Sequence, residues 1–289
     1  MQDQIMSDAS VPRPSESEIL QKTQHPISRD QLIDQLTELG IVEGSVVIVH
    51  SSLSRLGWVI GGAQDVIGAL LESVGSSGTV VMPSHSTQLT DPARWKNPAV
   101  PQAWQEIIRS ELPAYDPALT PTRAMGAIAE LFRTHPLAHR SSHPFYSFAA
   151  IGPHAEMIIS GQSLEDGLGE QSPLARLFDL NAFVLLLGLG HSINTSLHLA
   201  EHRCEFSGKA DRIEGAPILL DGKRRWVRFR QLAYTSRDFH LLGEEFAHET
   251  MQEKSGPIGF GIGRLSHQRD LVEYATAWLP RRRPASLGL

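Results

Sequence analysis

Residues 46–53 read Val46-Val47-Ile48-Val49-His50-Ser51-Ser52-Leu53: four β-branched residues that run directly into a polar turn. An unbroken apolar run of this length, without in–out alternation, suits a strand covered on both faces. Upstream, Ser28 with Gln31 three residues on reads as a capping box. Leu32, Ile33, Leu36 and Leu39 then share one helical face, and Gly40 supplies the stop. Downstream, residues 63–74 read as a second helix and 79–82, closed by Pro83, as a second buried strand. Strand, helix and strand at this spacing form a βαβ unit and predict an α/β fold.

The rest of the chain continues the pattern. Residues 88–122 are rich in Pro and Trp, with one helical stretch at 102–112, the composition of a long binding loop. A helix over 126–134 leads to Arg140-Ser141-Ser142-His143-Pro144 and an expected strand over 145–151. Ser172-Pro173 is a cap followed by Pro at the first helical position. Residues 183–187 are the most apolar strand, and Gly188-Leu189-Gly190 leads from it to a helix carrying His198, Glu201 and His202. Asp221-Gly222, between 218–220 and 226–229, reads as a hairpin turn. An amphipathic helix over 271–279 closes the pattern.

With 289 residues, 41% hydrophobic and 20% charged, the chain has enough apolar surface to fold around a core, which excludes a largely disordered protein. No apolar run reaches the roughly 20 residues of a membrane span. Residues 1–28 carry acids, prolines and serines but no apolar signal-peptide core. The single cysteine, Cys204, allows no internal disulfide and fits a reducing, cytoplasmic setting. On this reading residues 1–27 are a flexible extension, 28–279 the domain, and 280–289 a basic tail. The body, 29–279, carries a net charge of −7, which disfavours a nucleic-acid partner and suits a neutral or cationic one.

Three chemistries compete for the segment after the most apolar strand. Gly190-His191-Ser192 is the first half of a nucleophile elbow, although Asn194 stands where the second glycine belongs. A hydrolase triad would then draw on Ser192, Asp238 and His267. His198-x-x-Glu201-His202 matches a zinc-binding H-x-x-E-H helix, with Glu273 as a third ligand. Alternatively, His198 is a general base one turn into a helix capped by Asn194, Thr195 or Ser196, with Glu201 on its face to orient the ring. Spacing alone leaves these open beside a purely structural histidine. Cys204, six residues along and on another face, reads as packing.

The order of the motifs adds to this. Val49-His50-Ser51-Ser52-Leu53, Gly78-Thr79-Val80-Val81-Met82-Pro83, Tyr115-Asp116-Pro117 with Thr120-Pro121, Arg140-Ser141-Ser142-His143-Pro144, Leu168-Gly169-Glu170-Gln171-Ser172-Pro173 and Asn194-Thr195-Ser196-Leu197-His198-Leu199-Ala200-Glu201 follow one another. Together they resemble the aminoglycoside 3-N-acetyltransferase family, antibiotic N-acetyltransferases distinct in fold from the GNAT enzymes. The resemblance covers about 28–279 and continues in Gly256-Pro257-Ile258-Gly259 and Arg264-Leu265.

The resemblance implies a single large α/β domain with a central mixed sheet flanked by helices. It implies acetyl-CoA as co-substrate, an aminoglycoside as acceptor, no metal, no nucleic-acid or membrane partner, and room for a homodimer. His198 is the implied general base and Glu201 its partner, with Thr195 or a nearby backbone N–H as oxyanion donor. His50, Ser51, Ser52, Leu53, Ser54 and Gly57, with Ser142, His143 and Ser147, match the regions that hold CoA. The acceptor site is expected to draw on Asp91, Tyr115, Asp116, Glu170 and Asp238. One stretch departs from the pattern: several relatives carry acids after the hairpin, whereas residues 228–237 here contain none.

Overall fold

The computed structural model describes residues 14–284. Its elements run α1 (Glu16–Lys22), α2 (Arg29–Leu39), β1 (Val46–Ser51), α3 (Gly62–Val74), β2 (Thr79–Pro83), α4 (Gln105–Glu111), α5 (Gly126–Arg133), β3 (His139–Arg140), β4 (Phe148–Ile151), α6 (Ala155–Ile159), α7 (Pro173–Asp179) and β5 (Phe183–Leu187). They continue with α8 (Leu197–Arg203), β6 (Asp211–Leu220), β7 (Lys223–Leu232), α9 (Phe239–Thr250), β8 (Lys254–Ile258), β9 (Gly261–His267) and α10 (Gln268–Arg282). Seven of the strands form one sheet in the order β3-β4-β2-β1-β5-β9-β8. Its centre, β2-β1-β5, is parallel, and β4 and β9 add antiparallel on either side, so the sheet is mixed.

Strand side chains alternate between two apolar layers. Ile48, Val81, Phe148, Val184 and Leu186 face one core, which is closed by Ile158, Leu177, Leu197, Phe246 and Trp278 from α6, α7, α8, α9 and α10. Val47, Val49, Val80, Met82, Leu185 and Leu187 face the other, closed by Leu36, Leu70 and Phe132 from α2, α3 and α5. The unbroken apolar runs of β1, β2 and β5 follow from this: both faces are covered, and each buried side chain contributes about 1.5–3 kcal/mol. Among the described residues no helix is long and apolar enough to cross a membrane.

The hairpin is longer than its sequence signal, pairing Asp211 through Leu220 with Leu232 through Lys223. Asp221 and Gly222 turn it with φ of 49° and 71°, both in the left-handed region that this pair tolerates. The expected strand over 145–151 shortens to β4, because residues 143–147 are held in a turn around the His143 ring. β8 and β9 carry no strong strand signal: three glycines and a proline interrupt them.

Among the described residues, the inner part of each expected tail is folded. Residues 1–13 lie outside the described part, but α1 is a capped helix, with Ser15 and Glu18 forming a capping box. Ile27 is fully buried and pairs with the Trp58–Ile60 backbone, so the fold begins before residue 28. At the other end α10 continues through Pro280 to Arg282, and Arg283 is buried. Charge made 280–289 look like a solvated tail; packing and ion pairing make its first residues part of the domain.

Candidate active site

The crossover from β1 to β2 packs α3 on one face of the sheet, whereas α7, which leads into β5, packs on the other. In such a sheet the crevice opens outside the carboxyl end of the strand between the two crossovers, here β1. Three polar segments meet there: His50 and Ser51 ending β1, Ser84-His85-Ser86 after β2, and Gly188 to Ser196 after β5. Gly188 has φ 68°, and a Cβ there would lie 2.8 Å from Cβ of Arg55, so the chain can leave β5 in this direction only with glycine. A short turn over His191–Ile193 follows, with Asn194 Oδ1 accepting from the Ser196 N–H at 3.1 Å, and then α8 begins. His198 lies in its first turn.

His198 Nδ1 lies 2.6 Å from Glu201 Oε2, and the two side chains are almost fully buried. Because a carboxylate only accepts, the Nδ1 proton belongs to the contact with Glu201, which leaves the lone pair on Nε2. Glu201 Oε1 accepts from Arg283 at 2.7 Å, and Arg283 also grips Asp238 through both ends of its guanidinium. Burial opposes the Arg283 charge, but Asp238 and Glu201 outweigh it and hold its pKa above the ordinary value. The rings of Tyr234 and Phe239 flank His198 at 5.1 and 4.9 Å. With His198 neutral, the group of Glu201, Asp238 and Arg283 carries one negative charge.

Other imidazoles surround this pair. Burial, aided by the nearby His191 and His198, pushes His50 down to about 3. Burial also pushes His143 down to about 3, against the Leu164 carbonyl, and takes His85 well below its ordinary range. Among the described residues His50 Nε2, His85 Nε2 and Ser196 Oγ are buried without a hydrogen-bond partner. Such atoms at the mouth of an α/β crevice suit ligand contacts. The depressed values also have a stability consequence. As pH falls below about 6.5 the unfolded chain binds protons at His50 and His143 that the folded chain refuses until about 3. Stability should therefore fall with pH across that window, by up to about 1.4 kcal/mol per pH unit for each ring. Urea midpoints at pH 7, 6 and 5 measure this; a flat profile would contradict neutral buried rings.

The model of the family described as aminoglycoside 3-N-acetyltransferase matches residues 48–280. The chain belongs to the aminoglycoside 3-N-acetyltransferase family. It is 44% identical over 261 residues to the SPbeta prophage-derived aminoglycoside N(3')-acetyltransferase-like protein YokD of Bacillus subtilis, covering 90% of this chain and 95% of that one. The crystal structure of that YokD protein superposes with a TM-score of 0.90 at 41% identity, over 94% of this chain and 100% of its own. Aminoglycoside N(3)-acetyltransferase VIII of Streptomyces fradiae is 35% identical over 94% of this chain and 99% of its own. A structure described as AAC-IIIb binary with CoASH has a TM-score of 0.79 at 28% identity, over 92% of this chain and 100% of that one. Members of the family are acyltransferases.

Of the residues that the family pattern suggested for CoA, the turn after β1 is half-exposed and polar, with Ser52 Oγ 3.4 Å from Ser54 Oγ. Leu53 begins a tight helical turn there. Gly57 serves packing instead: a Cβ would meet Phe260 at 2.8 Å and Ile27 at 3.0 Å. Ser142 is exposed, but His143 is fully buried, its Nδ1 accepting from the Phe145 and Tyr146 N–H groups. Ser147 is fully buried and tied to Ser84 and Arg140. Both have polar atoms already engaged, His143 by the turn before β4 and Ser147 by Ser84 and Arg140.

The expected acceptor groups are similarly committed. Asp91 is gripped by Arg109 at 2.8 Å, and Glu170 by Arg203 at 2.7 and 3.0 Å. Asp116 Oδ1 accepts from the Ala118 and Leu119 N–H groups. Tyr115 is buried and donates to the Ser141 carbonyl. Asp238 is held by Arg283. Asp91, Glu170 and Asp238 are each paired with an arginine, whereas Asp116 is capped by backbone N–H groups alone. For Asp91, Glu170 and Asp238 the spacing could not show this, since their arginine partners lie 18, 33 and 45 residues away.

The competing chemistries find their residues used elsewhere. Ser192 is exposed, Asp238 pairs with Arg283, and His267 stacks on Phe183 at 4.2 Å, so no hydrolase triad assembles. His202 offers Nε2 to the Tyr234 hydroxyl and Nδ1 to Asp166, while Glu201 serves His198 and Arg283. Cys204 is half-buried and burial pushes its thiol up to about 11, leaving it a packing residue rather than a nucleophile. Sequence reading missed Arg283 and Tyr234; Arg283 was hidden in a run of arginines, and Tyr234 had no spacing signal.

Proposed function

We propose that the protein transfers the acetyl group of acetyl-CoA to the 3-amino group of an aminoglycoside, with His198 as general base. The buried His198–Glu201 contact carries this reading. His198 Nε2 takes a proton from the acceptor amine as the nitrogen lone pair attacks the thioester carbonyl, and Glu201 supports the imidazolium. A C–N bond forms, the C–S bond breaks, and the thiolate of CoA leaves with the proton returned from His198. No covalent enzyme intermediate is needed. In this reading Thr195, three residues before the base, or the partner-free Ser196 Oγ donates to the oxyanion. The half-exposed residues Ser51 to Ser54, beside the buried His50, support the CoA arm in this reading, consistent with the CoASH-bound relative. Acetylating an aminoglycoside removes one of its charges and confers resistance.

The test is thiol release from acetyl-CoA over a panel of aminoglycosides, with the product located by mass spectrometry and NMR. Acceptor-dependent thiol release and a 3-N-acetyl product are expected. Acetyl-CoA hydrolysis that is indifferent to the amine would overturn the reading.

A further inference from the structure

The segment between β5 and α8 holds a second buried histidine–carboxylate pair, which the transfer chemistry above leaves unused. His191 Nε2 lies 2.6 Å from Glu253 Oε2, and the two side chains are only 5% and 4% exposed. Glu253 stands just before β8, and its other oxygen accepts from Arg264 of β9 at 3.2 Å. The ring is seated against α9 at Gly243, where a Cβ would lie 2.1 Å from its Cγ. Only glycine leaves room for an imidazole there.

The protons along this network run one way. A carboxylate only accepts, so the ring proton lies on Nε2 and Nδ1 keeps its lone pair. Asn194 Nδ2 therefore donates to Nδ1, at 3.2 Å, and the amide presents Oδ1 at its other end. That oxygen accepts from the Ser196 N–H at 3.1 Å. Asn194 and Ser196 are fully buried, so no solvent stands in for a lost partner. A ring protonated on Nδ1 instead would set donor against donor. The amide would turn, and its NH₂ would then oppose the Ser196 N–H. The charge of Glu253 thus decides which way the Asn194 side chain points.

The network ends at the reacting segment. Ser196 has its N–H held while its Oγ is buried without a partner, and the Thr195 carbonyl accepts from the His198 N–H at 3.0 Å. The two histidines are used in opposite senses. Glu201 takes Nδ1 of His198 and leaves Nε2 with its lone pair. Glu253 takes Nε2 of His191 and leaves Nδ1, which Asn194 occupies, so His191 is not a second base.

We propose that Glu253 is a positioning residue for acetyl transfer: through the His191 ring it sets the Asn194 amide, which fixes the turn that carries Thr195 and Ser196 into the first turn of α8. The inference rests on the transfer reading above and concerns how that turn is held, not what it contacts.

Glu253→Gln is the test, because glutamine keeps the shape and an acceptor but no longer dictates where the ring proton sits. Its kcat should fall by about 10- to 100-fold, with KM for acetyl-CoA within about twofold of the unaltered enzyme. Nitrogen NMR of histidine-labelled protein, with His191 assigned from its loss in His191→Gln, should place the proton on Nε2. In Glu253→Gln part of that proton population should move to Nδ1. Asn194→Ala cuts the same chain, so kcat of the double variant should match the slower single variant instead of multiplying the two losses. Arg264→Gln leaves the ring its carboxylate and should stay within about threefold of the unaltered rate. Losses that multiply, or a urea midpoint that falls in Glu253→Gln while kcat does not, would confine the network to stability and overturn the inference. A proton on Nδ1 in the unaltered enzyme, or a loss in Arg264→Gln equal to that in Glu253→Gln, overturns it as well. An unaltered enzyme that releases no thiol with any aminoglycoside overturns the transfer reading instead, and the ring proton, read without substrate, separates the two failures.

Discussion

His198→Ala is expected to lower kcat for acetyl transfer by about 10² to 10⁴, the range that a positioned general base supplies. Binding of acetyl-CoA, followed by calorimetry, should persist, because no CoA contact is assigned to this ring. The base matters because an acceptor amine is largely protonated near neutral pH and only its lone pair can attack. Glu201→Gln makes a second, distinguishable step. Gln keeps a hydrogen-bond acceptor for Nδ1–H but removes the charge that supports the imidazolium, so kcat should fall less than for His198→Ala. Turnover within about threefold of the unaltered enzyme in His198→Ala would remove the base from the mechanism.

What the sequence made legible was whatever local pattern encodes. β1, β2 and β5 could be read because burial on both faces requires unbroken apolar runs, and those runs located the crevice at His50 and after Leu187. The pair His198 and Glu201 could be read because three residues on a helix bring two side chains onto one face. Groups joined across long stretches of chain could not be read. Asp91 and Glu170 have the chemistry to bind an amine, yet Arg109 and Arg203 already hold them. His143 and Ser147 carry polar atoms suited to a cofactor, yet the turn before β4 uses the first and Ser84 and Arg140 use the second. Net charge is silent on position in the same way: a body at −7 suits a cation at long range but does not say where one would bind. Long-range attraction and local contact are separate quantities, and only the second places a substrate.

The largest loss of stability should come from Arg283, the residue that charge alone assigned to a tail. It is 3% exposed, and it joins Glu201 on α8 to Asp238 at the start of α9 while donating to the Thr235 carbonyl. Arg283→Met keeps much of the volume but leaves two carboxylates without their cation, one of them fully buried. Removing one partner of a buried ion pair costs about 3–5 kcal/mol, because the remaining charge stays desolvated. Little solvent screening applies at this depth. Arg283→Lys should recover only part of the loss: an ammonium supplies the charge but not the planar fork that meets both carboxylates at once. Urea denaturation gives the ordering, with the unaltered chain most stable, then Lys, then Met. The same ordering should appear in kcat, because Glu201 keeps its position against His198 only while Arg283 holds its other oxygen. A Met variant within about 1 kcal/mol of the unaltered chain would show that the ion pair adds nothing to the fold. A Met variant that unfolds readily yet turns over normally once stabilised by acetyl-CoA would confine Arg283 to stability and free Glu201 from its control.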